Sequence, residues 1–228
     1  MDKNKNKKME KFQWNERNCF CISLESNQNR YKKMKKRFEQ LKLKVTYWKA
    51  VTKDNLNRNF VHYLNDGARG CAQSHLEIWE YITKNNIDYA LIVEDDACFV
   101  HDFFQKLDQF SIHIDDKEWD AIFLNASESI PILDKWVLCH EQYLTGGYII
   151  SRRGCMKMIS MFSNLLFASD WMTTRLQLFH HSYCYFPWLI IQEGNESTIG
   201  SAVDHDHKKV LSLLDDINYS IENYHVVV

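Results

Sequence analysis

The stretch Tyr89-Ala90-Leu91-Ile92-Val93-Glu94-Asp95-Asp96 decides the fold that the sequence predicts. A continuous apolar run without polar alternation is typical of a strand that is covered on both faces, as in a parallel sheet. Three adjacent carboxylates follow where that strand ends. In an open α/β sheet, ligands bind at the carboxyl ends of the strands. The stretch therefore predicts a buried strand with a binding site at its end.

Strands and helices alternate on both sides of this stretch. The spacing of Tyr31, Met34, Phe38 and Leu41 predicts an amphipathic helix, whereas residues 52–69 are polar and predict a loop. The predicted strands cover 19–24, 43–51, 89–93, 120–125, 143–151 and 183–192, and the predicted helices cover 31–41, 72–82, 152–164 and 171–179. This order predicts an α/β fold whose central, mainly parallel sheet is flanked by helices.

The chain length and composition favour one globular domain. The 228 residues are 45% hydrophobic and 25% charged, which suits one buried core and excludes a disordered chain. We expect a flexible lysine-rich tail over 1–17, a single domain over 18–203 and a C-terminal extension over 204–228. The histidines of the extension, His205 and His207, are expected to be solvated.

The charge is distributed unevenly along the chain. Residues 1–49 hold 15 lysines and arginines against 5 acids, and the remainder holds 13 against 25. This asymmetry suggests an anion near the first element and a cation further along. The net charge of −2 gives no reason to expect a nucleic-acid partner.

Several classes of protein are not supported by the motifs present. The chain contains neither a G-x-G-x-x-G after a strand nor a P-loop, and its apolar runs are far shorter than a membrane span. No apolar signal core stands at the N-terminus. Seven cysteines, an odd number without C-x-x-C pairs, favour reduced thiols. We therefore expect a cytoplasmic or cytosol-like location without a transmembrane segment, and the oligomeric state stays open.

The three carboxylates Glu94, Asp95 and Asp96 predict a metal site. Like charges this close raise each other's pKa unless a cation intervenes. Their oxygen ligands suit Mn2+ or Mg2+, which can in turn hold a diphosphate. The alternative is a solvated turn, or acids that cap the next helix.

A longer pattern resembles a known family. The segment Gly70-Cys71-Ala72-Gln73-Ser74-His75-Leu76-Glu77-Ile78-Trp79, followed by the acidic strand end, resembles glycosyltransferase family 25. That family includes bacterial lipooligosaccharide galactosyltransferases and collagen hydroxylysine galactosyltransferases. Thr52-Lys53 departs from the family's A-V-D-G. Further segments similar to the family's, in the same order, are Ile22-Ser23-Leu24 with Arg30, Ala50-Val51, Thr145 to Arg152, Ser169-Asp170-Trp171, and Pro187 to Gln192 with Ser197-Thr198-Ile199.

The resemblance implies an inverting, metal-dependent transferase with a GT-A-like nucleotide-diphospho-sugar transferase fold. Its donor would be a UDP-sugar, with galactose favoured and glucose as the second option. Its acceptor would be a hydroxyl of a glycan, or of a glycoprotein such as collagen-like hydroxylysine. The residues that the resemblance implies for binding the donor are Ile22, Ser23, Leu24, Arg30, Ala50, Val51, Thr52, Ser74, His75, Asp95, Gly146, Gly147 and Gln192.

Such a transfer needs a base for the acceptor hydroxyl. Asp170 is our candidate because it lies between two apolar stretches at the start of a predicted helix, although it could instead only cap that helix. Glu193 is the reserve candidate. Four tryptophans could stack on sugar rings or belong to the core: Trp79, Trp119, Trp171 and Trp188.

Two other functions compete with sugar transfer. A phosphatase-like hydrolase would also place acids at a strand end, but Glu94 and Cys98 stand where such enzymes need an aspartate and a threonine or valine. A non-catalytic carbohydrate- or nucleotide-sugar-binding protein on the same fold is the second alternative.

Overall fold

A seven-stranded sheet forms the centre of the computed structural model, which describes residues 11–125, 127, 128, 130, 132–193 and 203–226, the last range with 203–207 as backbone alone. The strands are β1 (Cys19–Ser23), β2 (Thr46–Lys49), β3 (Tyr89–Glu94), β4 (Ala97–Phe99), β5 (Ala121–Phe123), β6 (Trp136–Leu138), β7 (Gly147–Ser151), β8 (Ser182–Tyr185) and β9 (Ile190–Gln192). The helices are α1 (Gln28–Leu41), α2 (Asp66–Lys84), α3 (Phe103–His113), α4 (Arg152–Phe162), α5 (Ser169–Thr174) and α6 (Val203–Asp215), with 3-10 turns over Lys53–Asn55, Arg175–Phe179 and Ile221–Asn223.

The strands of the large sheet run in the order β2-β1-β3-β7-β5-β8-β6, and β4 pairs with β9 in a separate two-stranded sheet. Strand β1 lies parallel to both β2 and β3, and β5 lies parallel to β8. Strand β7 runs antiparallel between β3 and β5, and β6 runs antiparallel to β8. The predicted α/β fold with a central sheet between helices is confirmed, and its strand pairings are mixed.

Strand β3 lies in the middle of the core, as its apolar run predicts. Its residues Ala90, Leu91, Ile92 and Val93 are at most 1% exposed. Helix α2 buries Ala72, Leu76, Trp79 and Ile82, which stand three or four positions apart and so share one helix face. Because this strand is packed on both faces, the acids at its end have a fixed backbone.

Helix α2 begins at Asp66, inside the segment predicted as a loop. Asn65 caps it by accepting a hydrogen bond from the Ala68 backbone N–H. Gly70 lies within this helix, close to the segment after β2. A Cβ on Gly70 would lie 2.2 Å from the Val51 carbonyl oxygen. Only glycine lets α2 approach the segment after β2 so closely.

The predicted strand over 183–192 is two strands in two different sheets. Strand β8 belongs to the large sheet and β9 pairs with β4. Pro187 lies between them, and proline lacks the N–H that a continuous central strand would need.

Described residues of the predicted tail and of the predicted extension contact the domain. Phe12 and Trp14 stack at 5.3 Å, and Phe12 packs edge-on against Tyr89 at 5.1 Å. In the extension, the buried Tyr224 hydroxyl donates to the Trp188 carbonyl at 2.7 Å. These three aromatic residues therefore pack against the domain.

Some predictions fall outside the described residues. These are the first ten residues of the tail, the Ser197-Thr198-Ile199 segment and the side chains of His205 and His207.

All seven cysteines are free thiols, and six of them are buried. Across the described part of the chain, no helix combines the length and the apolar character needed to cross a membrane.

Substituting Gly70→Ala tests the contact that places α2. We expect the free energy of unfolding to fall by about 1–3 kcal/mol, because the new methyl group forces the helix away from Val51. Gly67→Ala is the matched control, since Gly67 is exposed in the first turn of the same helix and alanine favours helix. Urea unfolding measures both variants. Equal stability of the two would contradict the close approach at Gly70.

Candidate active site

A cavity of about 530 Å³ opens where β1, β2 and β3 end. These three strands are parallel, so their carboxyl ends meet at one edge of the sheet. Loops and the first turns of α2 and α5 close the other sides. The lining residues are Ile22, Leu24, Arg30, Ala50, Val51, Thr52, Lys53, Asp66, Gly67, Ala68, Cys71, Glu94, Asp95, Asp96, Leu144, Thr145, Ala168, Ser169, Asp170 and Gln192.

Arg30 reaches the acids from the first turn of α1. Its Nη1 lies 2.8 Å from Oδ1 of Asp95 and 3.4 Å from Oδ2 of Asp96. Asn27 caps the helix by accepting a hydrogen bond from the Arg30 backbone N–H, which fixes where the side chain starts. The guanidinium thus offsets part of the negative charge of the three adjacent carboxylates.

The acids differ in the pKa that their surroundings impose. Burial and the neighbouring Glu94 charge raise the pKa of Asp96 to about 7. Burial acts on Glu94 in the same direction, but His75 and the Thr145 hydroxyl stabilise its anion and hold its pKa below the ordinary value. The Thr145 hydroxyl donates to Oε1 of Glu94 at 2.7 Å. The cluster therefore carries more negative charge than Arg30 balances.

Gln192 spans two of the carboxylates from the end of β9. Its Nε2 lies 3.5 Å from Oε2 of Glu94 and 3.3 Å from Oδ1 of Asp96. Oε2 of Glu94 and Oδ1 of Asp96 thus lie near one point of the cavity wall, with the side-chain amide of Gln192 between them. Hard divalent cations favour such oxygen ligands.

Asp170 lines the same cavity from the first turn of α5. Its carboxylate accepts a hydrogen bond from the Trp171 backbone N–H at 2.7 Å. The N-cap position of α5 is Ala168 and has no side-chain cap. Asp170 is therefore within the first turn rather than at the cap.

Residues 16–135 match the model of the family described as glycosyltransferase family 25 (LPS biosynthesis protein). The chain belongs to glycosyltransferase family 25. This membership confirms the resemblance that the motifs around Gly70 and Glu94 indicate.

One relative of this chain is named a galactosyltransferase, and another is named inactive. Procollagen galactosyltransferase 1-B of Xenopus laevis is 28% identical over 169 residues, which cover 62% of this chain and 28% of the relative. Inactive glycosyltransferase 25 family member 3 of Mus musculus is 29% identical over 108 residues, covering 43% and 18%. The chain thus spans less than a third of the length of either relative.

The comparison with solved structures finds, among others, the crystal structure of a glycosyltransferase involved in the glycosylation of the major capsid of PBCV-1. The two chains are 9% identical, with a TM-score of 0.44 over 85% of this chain and 98% of that one.

Most residues that the family resemblance implies for the donor line the cavity, and five do not. Ser74 lies behind the wall, where its hydroxyl accepts from the Val51 N–H at 2.8 Å and holds the segment after β2. A Cβ on Gly146 or Gly147 would lie within 2.6 Å of a neighbouring side chain, so both glycines serve close packing. The five residues are Ser23, Ser74, His75, Gly146 and Gly147.

Glu193 is not among the described residues that line the cavity. Its carboxylate lies 2.7 Å from Nζ of Lys33 and 3.0 Å from Nη2 of Arg37. These contacts hold its pKa below the ordinary value, although burial acts to raise it. Glu193 therefore joins α1 to the end of β9 through two ion pairs, and its role as the reserve base stays a prediction.

The tryptophans contribute to packing. Trp79 and Trp188 are fully buried and Trp119 is 8% exposed. Trp171 is half-buried and packs against the Phe167 ring at 4.3 Å and the Arg175 guanidinium at 3.8 Å. Trp79, Trp119 and Trp188 therefore belong to the core, and Trp171 packs against it.

The sequence did not single out several residues of the wall. Thr145 and Ser169 lie within segments that resemble the family, and their hydroxyls are 3.0 Å apart beside Glu94. Lys53, Asp66, Gly67 and Ala68 also line the cavity and lay in the predicted loop. The last three belong to the first turn of α2, whose start the sequence analysis placed too late.

One cluster beside the acids also has the residue types of a metal site. Ligand atoms of Cys71, His75 and Glu94 all lie within 4.8 Å of one another. Cys71 and His75 stand four positions apart on α2 and therefore share one helix face. The Cys71 thiol also lies 3.3 Å from the Ser169 hydroxyl.

Substituting Glu193→Gln tests its structural role. We expect the free energy of unfolding to fall by roughly 3 kcal/mol, because the fully buried Arg37 loses its counter-ion. Glu25→Gln, which breaks the exposed pair with Lys49, is the control and should cost less than about 1 kcal/mol. Thermal and urea unfolding measure both. Unchanged stability with lost sugar transfer would instead support Glu193 as the base.

Proposed function

We propose that this family 25 chain is an inverting, divalent-metal-dependent glycosyltransferase that uses a UDP-sugar. The sugar is galactose in the first instance and glucose in the second, and the acceptor is a hydroxyl of a glycan or of collagen-like hydroxylysine. The observation that carries the proposal is the meeting of Glu94, Asp95 and Asp96 with Asp170 on one cavity at the strand ends. The galactosyltransferase name of the Xenopus relative supports the choice of galactose.

The acidic cluster fits a hard divalent cation. Carboxylate oxygens are its ligand type. Burial and the neighbouring Glu94 charge raise the pKa of Asp96, and a cation would offset that charge. Glu94, Asp95 and Asp96 would hold Mn2+ or Mg2+. Bound there, the ion would supply charge stabilisation for the diphosphate that leaves the sugar.

Arg30 adds a second positive charge beside the same acids. Transfer through an oxocarbenium-like state places growing negative charge on the leaving diphosphate. The guanidinium contacts both Asp95 and Asp96, so a change at the acids changes the partners of Arg30. We assign Arg30 to the diphosphate end of the donor.

The wall beyond Arg30 suits the nucleoside. Ile22 lies near the end of β1 and Leu24 just after it, and the segment 50–52 follows β2. The Ala50 N–H donates to the Ser23 carbonyl at 2.9 Å, and Ser74 holds Val51. These contacts fix the backbone of a mainly apolar wall, which can hold a flat base by van der Waals contact.

Asp170 is our proposed base for the acceptor hydroxyl. An inverting transfer needs a carboxylate on the face opposite the leaving group, and Asp170 enters the same cavity from a different element, α5. Its carboxylate would take the proton as the acceptor oxygen bonds to the anomeric carbon and the diphosphate leaves.

A panel of UDP- and GDP-sugars with and without Mn2+ tests the reaction class. We expect Mn2+-dependent hydrolysis of one UDP-sugar, and Asp95→Asn should lower it about 100-fold or more because the cation and Arg30 lose a shared ligand. Asp88→Asn is the matched control, an exposed acid just before the same strand. The proposal fails if the panel shows neither binding nor hydrolysis.

Substituting Asp170→Asn tests whether Asp170 acts as the base or only stabilises the first turn of α5. We expect transfer to fall by about 10²- to 10⁴-fold, while UDP affinity and melting temperature stay near those of the parent chain. Transfer assays with a hydroxylysine peptide and with a galactoside acceptor, together with calorimetric UDP binding, measure this. Full transfer in the variant would remove Asp170 as the base.

A non-catalytic nucleotide-sugar-binding protein is the second candidate. The similarity to the inactive family member of the mouse and the pairing of Arg30 with two of the acids favour it. This candidate predicts UDP-sugar binding without hydrolysis or transfer in the same panel.

A further inference from the structure

A buried chain of polar groups leads from the core to the acidic cluster. The indole N–H of Trp79 donates to the Tyr148 hydroxyl oxygen at 2.9 Å, and that oxygen lies 2.9 Å from Nδ1 of His75. The three side chains belong to α2 and β7, and none is more than 1% exposed. We call Trp79, Tyr148 and His75 the buried relay.

The donors of the relay can be ordered from its chemistry. An indole N–H can only donate, so the Tyr148 oxygen accepts from Trp79. The single hydroxyl hydrogen of Tyr148 then has Nδ1 of His75 as its acceptor. Nδ1 of His75 therefore carries no hydrogen, and the one N–H of the neutral ring is on Nε2.

That Nε2–H faces the first acid of the cluster. It lies 3.5 Å from Oε1 of Glu94 and has no hydrogen-bond partner among the described residues. A buried donor without a partner costs free energy, so Nε2 favours a Glu94 oxygen on its side. The Thr145 hydroxyl donates to the same oxygen at 2.7 Å.

We propose that the buried relay positions the Glu94 carboxylate, directing Oε1 toward His75 and Thr145 and leaving Oε2 for the cavity. Trp79, Tyr148 and His75 are then positioning residues. The Gln192 amide lies 3.5 Å from that same Oε2, on the side where Asp96 also stands. The role of this oxygen as a cation ligand rests on the proposed function, whereas the direction of the relay does not.

A metal ion on Cys71, His75 and Glu94 is the competing use of the same atoms. It needs a bare Nε2, because a metal binds the ring nitrogen through its lone pair. Nδ1–H would then donate to Tyr148, whose oxygen would accept twice. The hydroxyl hydrogen of Tyr148 would have no acceptor among its described contacts, so the relay favours Nε2–H.

The tautomer of His75 tests the direction of the relay without any activity. Nitrogen-15 spectra of the metal-free chain, with the His75 signals assigned by their loss in His75→Gln, should show hydrogen on Nε2 and none on Nδ1. A bare Nε2 overturns the proposal. Stoichiometric Zn2+ binding that is lost in Cys71→Ser also overturns it.

The positioning role is tested by the Mn2+ dependence of UDP-galactose hydrolysis. His75→Met removes the N–H and should raise the Mn2+ concentration for half-maximal rate about 10- to 100-fold. His75→Gln keeps an amide N–H near the position of Nε2 and should restore the parent value within a few-fold. If Met and Gln at this position behave alike, the role is structural and the proposal fails.

Tyr148→Phe extends this test, with Tyr224→Phe as its matched control. Both remove one buried hydroxyl, but Tyr224 donates to Trp188 outside the cavity. We expect the Mn2+ requirement to rise only for Tyr148→Phe, and equal requirements in the two variants would contradict the relay. If the parent chain shows no Mn2+-dependent hydrolysis, the proposed function fails, and the tautomer alone decides the relay.

Discussion

Three carboxylates in sequence at the end of a buried strand repel one another, and the structure around them offsets that repulsion. The apolar residues of β3 hold the backbone of Glu94 in the core, so the acids cannot simply turn to solvent. Arg30 contacts two of them, and His75 and Thr145 contact the third. The charge that remains is what would attract the cation that we propose for this cavity.

Each neighbouring element contributes one part of this arrangement. Helix α1 brings Arg30 from a turn that Asn27 caps, and α2 brings His75 because Gly70 lets the helix approach Val51. Strand β9 brings Gln192 to the same point. The cavity is thus assembled from segments far apart in the chain, and its precision depends on the packing of the core.

The sequence predicted the parts of this site that are local. Strand β3, its acids and helix α1 could be predicted because an apolar run and a helix period are visible within a few residues. The start of α2 was missed because Gly70 is typical of a loop, and the contact that explains it comes from Val51, nineteen residues away. The core positions of the tryptophans needed the structure to decide between two alternatives.

Long-range contacts explain what the sequence could not predict. The ion pair of Glu193 with Arg37 and the contact of Tyr148 with His75 join residues 156 and 73 positions apart, and no local pattern announces either. Strands β4 and β6 have three residues each, too few for a visible period. The burial of each side chain and its long-range contacts therefore determine which of the predicted residues face the cavity.

On the proposed function, the acids at the end of β3 hold a cation against the diphosphate of the donor. Diffraction at the manganese absorption edge, from a crystal grown with Mn2+ and UDP, locates such a cation. We expect an anomalous peak beside the carboxylates of Glu94, Asp95 or Asp96, next to the diphosphate. Bound UDP without such a peak, or a peak on Cys71 and His75, would contradict it.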